Sequence, residues 1–84
     1  MPSMDNFRSE LSALLTRARS QGRPHVEVNS GELHRSLGGY PGSAHRMPMC
    51  CNAMREAMTS GDEVIFAPDS GDGASLTIKY RLSR

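Results

Sequence analysis

The sequence predicts a small α+β domain built, in chain order, from one long helix, a short strand, two short helices and a C-terminal β-hairpin. Two patterns carry this prediction. Apolar residues near the start of the chain recur at the spacing of one helical face, and residues 74–82 alternate between apolar and polar types. The chain has 84 residues, which suffices for one domain spanning residues 1–84.

The first helix is predicted from Asp5 to about Ser20. Asp5 is expected to cap the first free amides, and Gly22 followed by Pro24 ends the helix. The arginines near its end suit the negative end of the helix dipole. Its apolar face consists of Phe7, Leu11, Leu14, Leu15 and Ala18.

The middle of the chain predicts a strand at residues 25–28 followed by two short helices. Asn29, with Glu32 three residues later, forms a variant capping box that starts the first of these helices, and Gly38-Gly39 ends it. A Pro-Gly turn at residues 40–43 separates it from the second helix. That helix is predicted over residues 48–58, with a proline in its first turn.

The C-terminal hairpin is predicted from the arms Glu63–Ala67 and Ala74–Leu82, joined by a turn-rich loop, and it is expected to pair with the short strand. The second short helix is expected to turn toward the core with Met47, Cys50, Cys51, Met54, Ala57 and Met58. The expected core of the domain is Phe7, Leu11, Leu14, Leu15, Val26, Val28, Leu33, Leu37, Met54, Met58, Val64, Leu76, Ile78 and Tyr80.

This order of elements resembles that of winged helix-turn-helix domains, in which the second short helix enters the major groove of DNA. In addition, residues 29–35, 38–42 and 45–51 (NSGELHR, GGYPG and HRMPMCC) resemble a small bacterial domain family found alone or beside HNH-type nucleases. The resemblance covers residues 25–82 and implies a DNA-associated setting, with a nuclease as one expected protein partner. It implies no catalytic residues, because the His-Asn-His arrangement of an HNH nuclease is absent from the sequence.

The charge balance limits how nucleic acid would be bound. Ten Lys and Arg residues stand against nine Asp and Glu residues, which is far from the excess typical of a general polyanion binder. Binding must therefore come from local patches. All but one of the cations are arginines, which suit planar contact with phosphate or guanine, although a high-GC genome also favours arginine.

The two short helices and the hairpin provide the candidate contacts. Asn52 would pair with adenine and Arg55 with guanine, while Arg46 and His45 would bind phosphate near the start of the helix, with His45 also near the bases. Arg35, Lys79 and Arg81 are expected to contact phosphates. Double-stranded DNA is the predicted partner, and the candidate binding residues are Arg35, His45, Arg46, Asn52, Arg55, Lys79 and Arg81.

Other features favour a protein partner on the same scaffold. Glu56 is predicted on the same side of the second short helix, and Asp69 and Asp72 lie near the hairpin tip, where phosphate would repel carboxylates. Under this alternative, Met49 and Tyr40 would form an apolar contact surface without nucleic-acid binding.

The residues that could bind a metal or act in catalysis are His34, His45, Cys50 and Cys51. These residues lack the Cys-x2-Cys and His-x3-His pairs typical of zinc sites, and a Cys-His nucleophile pair would lack an orienting third group. We therefore expect no metal, no cofactor and no enzymatic activity. At least one cysteine is expected to pack in the core as a small apolar residue.

Two further features bear on location. No apolar run approaches the ~20 residues of a membrane span, and the start of the chain lacks a signal-peptide pattern. The adjacent Cys50 and Cys51 would need a strained backbone to form a disulfide, which favours reduced thiols. We expect a cytoplasmic protein without a membrane partner.

Overall fold

The computed structural model describes residues 3–37, 46–69 and 73–82. Its helices and strands are α1 Met4–Ser20, β1 His25–Asn29, α2 Ser30–Leu37, α3 Met47–Glu56, β2 Glu63–Phe66 and β3 Thr77–Arg81. Within these ranges the three strands form one antiparallel sheet, so the chain is α+β and follows the predicted element order. The predicted helix end at Gly38-Gly39, the turn at 40–43 and the loop positions 70–72 lie outside the described residues.

The first helix begins one residue earlier than predicted, and its cap is Ser3 rather than Asp5. The Asn6 amide donates to Ser3 Oγ at 3.2 Å, and the Ser3 amide donates to Asn6 Oδ1 at 2.9 Å. A cap must precede the first turn to reach its amides, and Asp5 is already inside that turn. Asp5 forms an ion pair with Arg8 instead. Gly22 follows the helix at φ 77°, a conformation that suits glycine after a helix end, as predicted.

The second helix begins at its predicted cap. The Glu32 amide donates to Asn29 Oδ1 at 3.1 Å, and Asn29 Nδ2 donates to Thr77 Oγ1 at 3.3 Å. The same side chain therefore starts α2 and connects it to β3.

β3 is the central strand of the sheet. It pairs antiparallel with β1, with Val28 opposite Ile78, and with β2, with Val64 opposite the same Ile78. The predicted pairing of the hairpin with the short strand is confirmed. However, β3 begins at Thr77 rather than at Ala74, because the residues before it bind the start of α2 instead of a neighbouring strand.

Three hydrogen bonds hold that segment against α2. The Ser30 amide donates to Leu76 O at 2.8 Å, and the Gly31 amide donates to Ala74 O at 3.0 Å. The Ser30 hydroxyl donates to Gly73 O at 2.7 Å. The approach is so close that a Cβ atom on Gly31 would lie 2.9 Å from Ala74 O.

The core lies between the helices and the inner face of the sheet, and most of the expected core residues are buried. Val64 is 43% exposed, so its assignment to the core was wrong. The reason is that α1 and α2 pack against β1, whereas β2 forms the far edge of the sheet. In α3, Ala57 is exposed rather than buried because it follows the last helical residue, and Ala53 is buried instead. The expected core residues that are only partly buried are Leu14, Leu15, Leu37 and Met58.

We expect Leu11→Ala to lower the free energy of unfolding by about 2 to 5 kcal/mol, because Leu11 is only 2% exposed. Leu14→Ala removes the same atoms from a partly exposed position of the same helix, so it should lower the free energy of unfolding distinctly less. Urea unfolding of the two variants measures the difference, and equal losses would contradict this packing.

We expect Gly31→Ala to destabilise the fold by about 1 to 3 kcal/mol, since its Cβ would force the backbone at Ala74 to move. At an ordinary position inside a helix, replacing glycine by alanine stabilises the protein. Thermal unfolding shows whether the substitution lowers or raises stability. A raised melting temperature would contradict the close approach of Gly31 to the Ala74 carbonyl.

Candidate nucleic-acid interface

α3 presents one polar stripe to solvent. Its buried side carries Met47, Cys50, Cys51, Ala53 and Met54, most of which were expected there. On the other side, Pro48 and Asn52 are exposed and Arg55 is partly buried, at the i, i+4, i+7 spacing of one helical face. Asn52 and Arg55 therefore lie on the accessible side of α3, where the sequence placed them.

The start of α3 is positioned by a buried histidine. The Arg46 amide donates to Nε2 of His34 at 2.6 Å, and His34 is fully buried with its ring at an edge-on angle to that of Phe7. An imidazole nitrogen that accepts this bond carries no proton. His34 thus acts inside the core, where it fixes the residue that precedes α3.

Arg46 and Asn52 border the same shallow depression at this end of α3. Its other lining residues are Met4, Pro48 and Met49. The first turn of α3 contains no acidic residue, and the Arg46 side chain does not cap it. The positive end of the helix dipole and a guanidinium therefore lie at the same end of α3, an arrangement that favours an anion.

Glu56, which was expected to oppose DNA binding, is paired with α1. Nε of Arg8 donates to one carboxylate oxygen of Glu56 at 2.9 Å, and Nη2 donates to the other at 3.1 Å. The hydrogen bond to Glu56 is the largest reason that the pKa of Arg8 lies above its ordinary value. The negative charge at the end of α3 is therefore matched by a cation of α1.

The hairpin cations lie elsewhere. Lys79 and Arg81 alternate along β3 with the buried Ile78 and Tyr80, so they occupy the sheet face that points away from the core. The Tyr80 hydroxyl, on the inner face, donates to the Met54 carbonyl of α3 at 2.7 Å. The structure thus separates the two hairpin cations from the exposed stripe of α3.

Carboxylates lie beside Lys79, and another carboxylate binds the main chain at Arg81. Lys79 lies 3.8 Å from Glu63 in β2, and its neighbour across the other side, in β1, is Glu27. The Arg81 amide donates to Asp62 at 2.6 Å. The local positive charge of this sheet face is therefore much smaller than the two cations suggest.

Arg35 joins neither of these groups. Arg35 is exposed on α2 and forms an ion pair with Glu32 at 2.9 Å. His45 lies outside the described residues. Of the seven candidates, the structure brings Arg46 and Asn52 to one depression and Lys79 and Arg81 to another.

Both cysteines pack in the core. Cys50 and Cys51 are fully buried, and their thiols donate at 3.5 Å to the carbonyls of Ser30 and Gly73, respectively. Burial raises the pKa of Cys50 to about 12, whereas a nucleophilic thiol requires a lowered pKa. In the described part of the chain, no three His, Cys, Asp or Glu side chains come together as a metal-binding group.

Sequence reasoning missed an exposed apolar strand. Val64, Ile65 and Phe66 of β2 are 43%, 47% and 55% exposed. No local signal identified this exposure, because a short continuous apolar run is more typical of a strand that is buried on both faces.

Comparisons with protein-family models, curated proteins and solved structures give no match to this chain. Over the described ranges, no helix has the length and apolar character needed to cross a membrane. These comparisons therefore assign no function to the chain.

We expect Cys50 to react with iodoacetamide at about pH 8 far more slowly in the folded protein than in urea, because burial raises its pKa. Mass spectrometry of the alkylated peptide measures both rates. Similar rates in the two states would contradict the buried position.

The same shift predicts how stability changes with pH. The unfolded thiol loses its proton near its ordinary pKa of 9.0, while the folded thiol keeps it until about 12. This contribution to the free energy of unfolding is complete below pH 9.0 and is lost as the pH rises toward 12. Cys50→Ala should therefore show a smaller loss over this range.

Proposed function

We propose that this chain is a DNA-binding module of the winged helix-turn-helix type, with α3 as the helix that enters the major groove. The order α1, β1, α2, α3, β2, β3 supports this proposal, as does a sheet in which the C-terminal hairpin adds to β1. In this arrangement β2 and β3 form the wing. The proposed role is binding without catalysis or cofactor.

The observation that carries the proposal is the polar stripe of α3. Asn52 is exposed at its centre, Arg46 precedes the helix, and Arg55 lies one turn beyond Asn52. Because Glu56 is bound in a bidentate pair by Arg8, its carboxylate does not stand as an unmatched charge against a phosphate backbone.

The proposed contacts with DNA are of two kinds, to phosphates and to base edges. Arg46 would bind a phosphate at the start of α3, together with His45, which precedes it in the sequence. Asn52 and Arg55 would reach base edges, Asn52 at adenine and Arg55 at guanine. Arg35 would contact a flanking phosphate. Lys79 and Arg81, on the outer sheet face, would add only salt-dependent attraction.

The low net charge suggests the biological setting. A chain with a formal charge of +1 gains little general attraction to DNA, so useful affinity requires base contacts or a second DNA-binding protein. Both a regulator and the target-reading part of a restriction-like system fit this requirement. The resemblance of residues 25–82 to domains found beside HNH-type nucleases favours the second, with a nuclease as the protein partner.

A protein-interaction role is the second candidate, and the exposed apolar residues of β2 favour it. The residues expected from the sequence for that role contribute less, since Met49 is partly buried and Tyr40 lies outside the described residues. A protein contact would therefore use β2 rather than the surface of α3.

We expect Arg55→Ala to weaken binding to a short duplex by about tenfold, because a base or phosphate contact is lost. Fluorescence anisotropy at two salt concentrations measures the affinity and its salt dependence. Asn52→Ala removes no charge, so it should leave the salt dependence unchanged while reducing discrimination between sequences.

Arg17→Ala is the matched control, since it removes the same charge from the exposed side of α1. Its affinity for DNA should stay within about twofold of the parent. Thermal unfolding of each variant separates lost contacts from lost structure. Equal effects of Arg55→Ala and Arg17→Ala, or no binding to duplex DNA at low salt, would refute the proposal.

A further inference from the structure

β2 is an apolar strand at the edge of the sheet. Within the described residues it pairs with β3 alone, which leaves the hydrogen-bonding groups of its other edge available. Val64, Ile65 and Phe66 are each about half exposed. An exposed apolar strand at a sheet edge can pair with another extended chain, so β2 is a candidate interaction site.

The register shows that both faces of β2 are apolar. Val64 lies opposite Ile78 and therefore shares the inner face of the sheet, beyond the area that the helices cover. An irregularity between Val64 and Phe66 places Phe66 opposite Thr77, on the outer face. A bound segment could thus bury apolar side chains on either side of the sheet as well as form main-chain hydrogen bonds.

Acidic residues flank this strand at both ends. Glu63 begins β2, and the exposed Asp69 follows it after a proline. The ion pair between Glu63 and Lys79 is loose, at 3.8 Å with the Glu63 side chain 64% exposed, so Glu63 can still attract a second cation. A segment complementary to β2 would therefore be apolar at its centre and basic at its ends.

We propose that β2 binds an extended segment of a partner protein by strand addition, and that this segment is apolar at its centre and carries Lys or Arg at both ends. Main-chain hydrogen bonds along the free edge supply affinity. Contacts with Val64, Ile65 and Phe66 select apolar side chains, and Glu63 and Asp69 select the basic ends.

A second copy of this chain fits the edge less well. Pairing of β2 with β2 brings acidic ends together in either strand direction, because both ends of the strand are acidic. The exposed parts of three side chains also supply only a fraction of the roughly 800 Å² per partner that a stable interface buries. Strand addition by a short segment needs less area and matches the charge.

The test uses the full chain and a fluorescein-labelled peptide with the repeating centre Val-Thr-Val-Thr-Val and a pair of lysines at each end. A second peptide has the same centre and a pair of glutamates at each end. Anisotropy titration should give saturable binding of the lysine peptide and at least about tenfold weaker binding of the glutamate peptide. Phe66→Ala should weaken binding of the lysine peptide by about tenfold without changing the melting temperature.

Glu63→Lys and Glu27→Lys form a matched pair. Both place a lysine beside Lys79 and change the net charge equally, but Glu63 lies on β2 and Glu27 on β1. Glu63→Lys should reduce the preference for the lysine peptide, whereas Glu27→Lys should preserve it. Equal effects of the two variants would overturn the proposal.

Three other results would also overturn it. These are failure of the lysine peptide to bind, sedimentation showing self-association that Phe66→Ala abolishes, and loss of DNA binding in a folded Phe66→Ala variant. The second result would show that β2 binds a second copy of this chain, and the third that it binds nucleic acid. Because the peptide titration contains no DNA, its outcome is independent of the proposed role of α3.

Discussion

The fold depends on the hydrogen bonds between the start of α2 and the segment before β3. Ser30 and Gly31 bind the carbonyls of Gly73, Ala74 and Leu76, so residues more than forty positions apart in the chain are brought together. This contact turns the chain so that the last strand enters between β1 and β2. It also requires a glycine, since a Cβ atom would meet the backbone of the segment at 2.9 Å.

Polar groups inside the core make the packing of the helices specific. The thiols of Cys50 and Cys51, the imidazole of His34 and the hydroxyl of Tyr80 each form a hydrogen bond with a main-chain group in a distant segment of the chain. A buried polar group without a partner costs about 1 to 3 kcal/mol, so competing arrangements that break these bonds are disfavoured. In a domain with few aromatic residues, such bonds help to define one arrangement of α2, α3 and β3.

The position of the helices divides the surface into two parts. α1 and α2 pack against β1, and α3 is joined to β3 through Tyr80, so the polar stripe of α3 faces solvent and β2 extends beyond the covered area. One surface suits an anion and the other suits an apolar strand. They share no residue, and the two proposed partners can therefore be tested separately.

The sequence by itself determined the order and type of the elements, the buried face of α1 and the cap at Asn29, because these follow from spacing within a few residues. It also placed Asn52 and Arg55 on the exposed side of α3. Only the tertiary structure decided that Glu56 is paired with Arg8, that Lys79 lies between two glutamates and that Val64 is exposed. Each of these depends on which elements pack together, and local patterns of polarity carry no information about a neighbour distant in the chain.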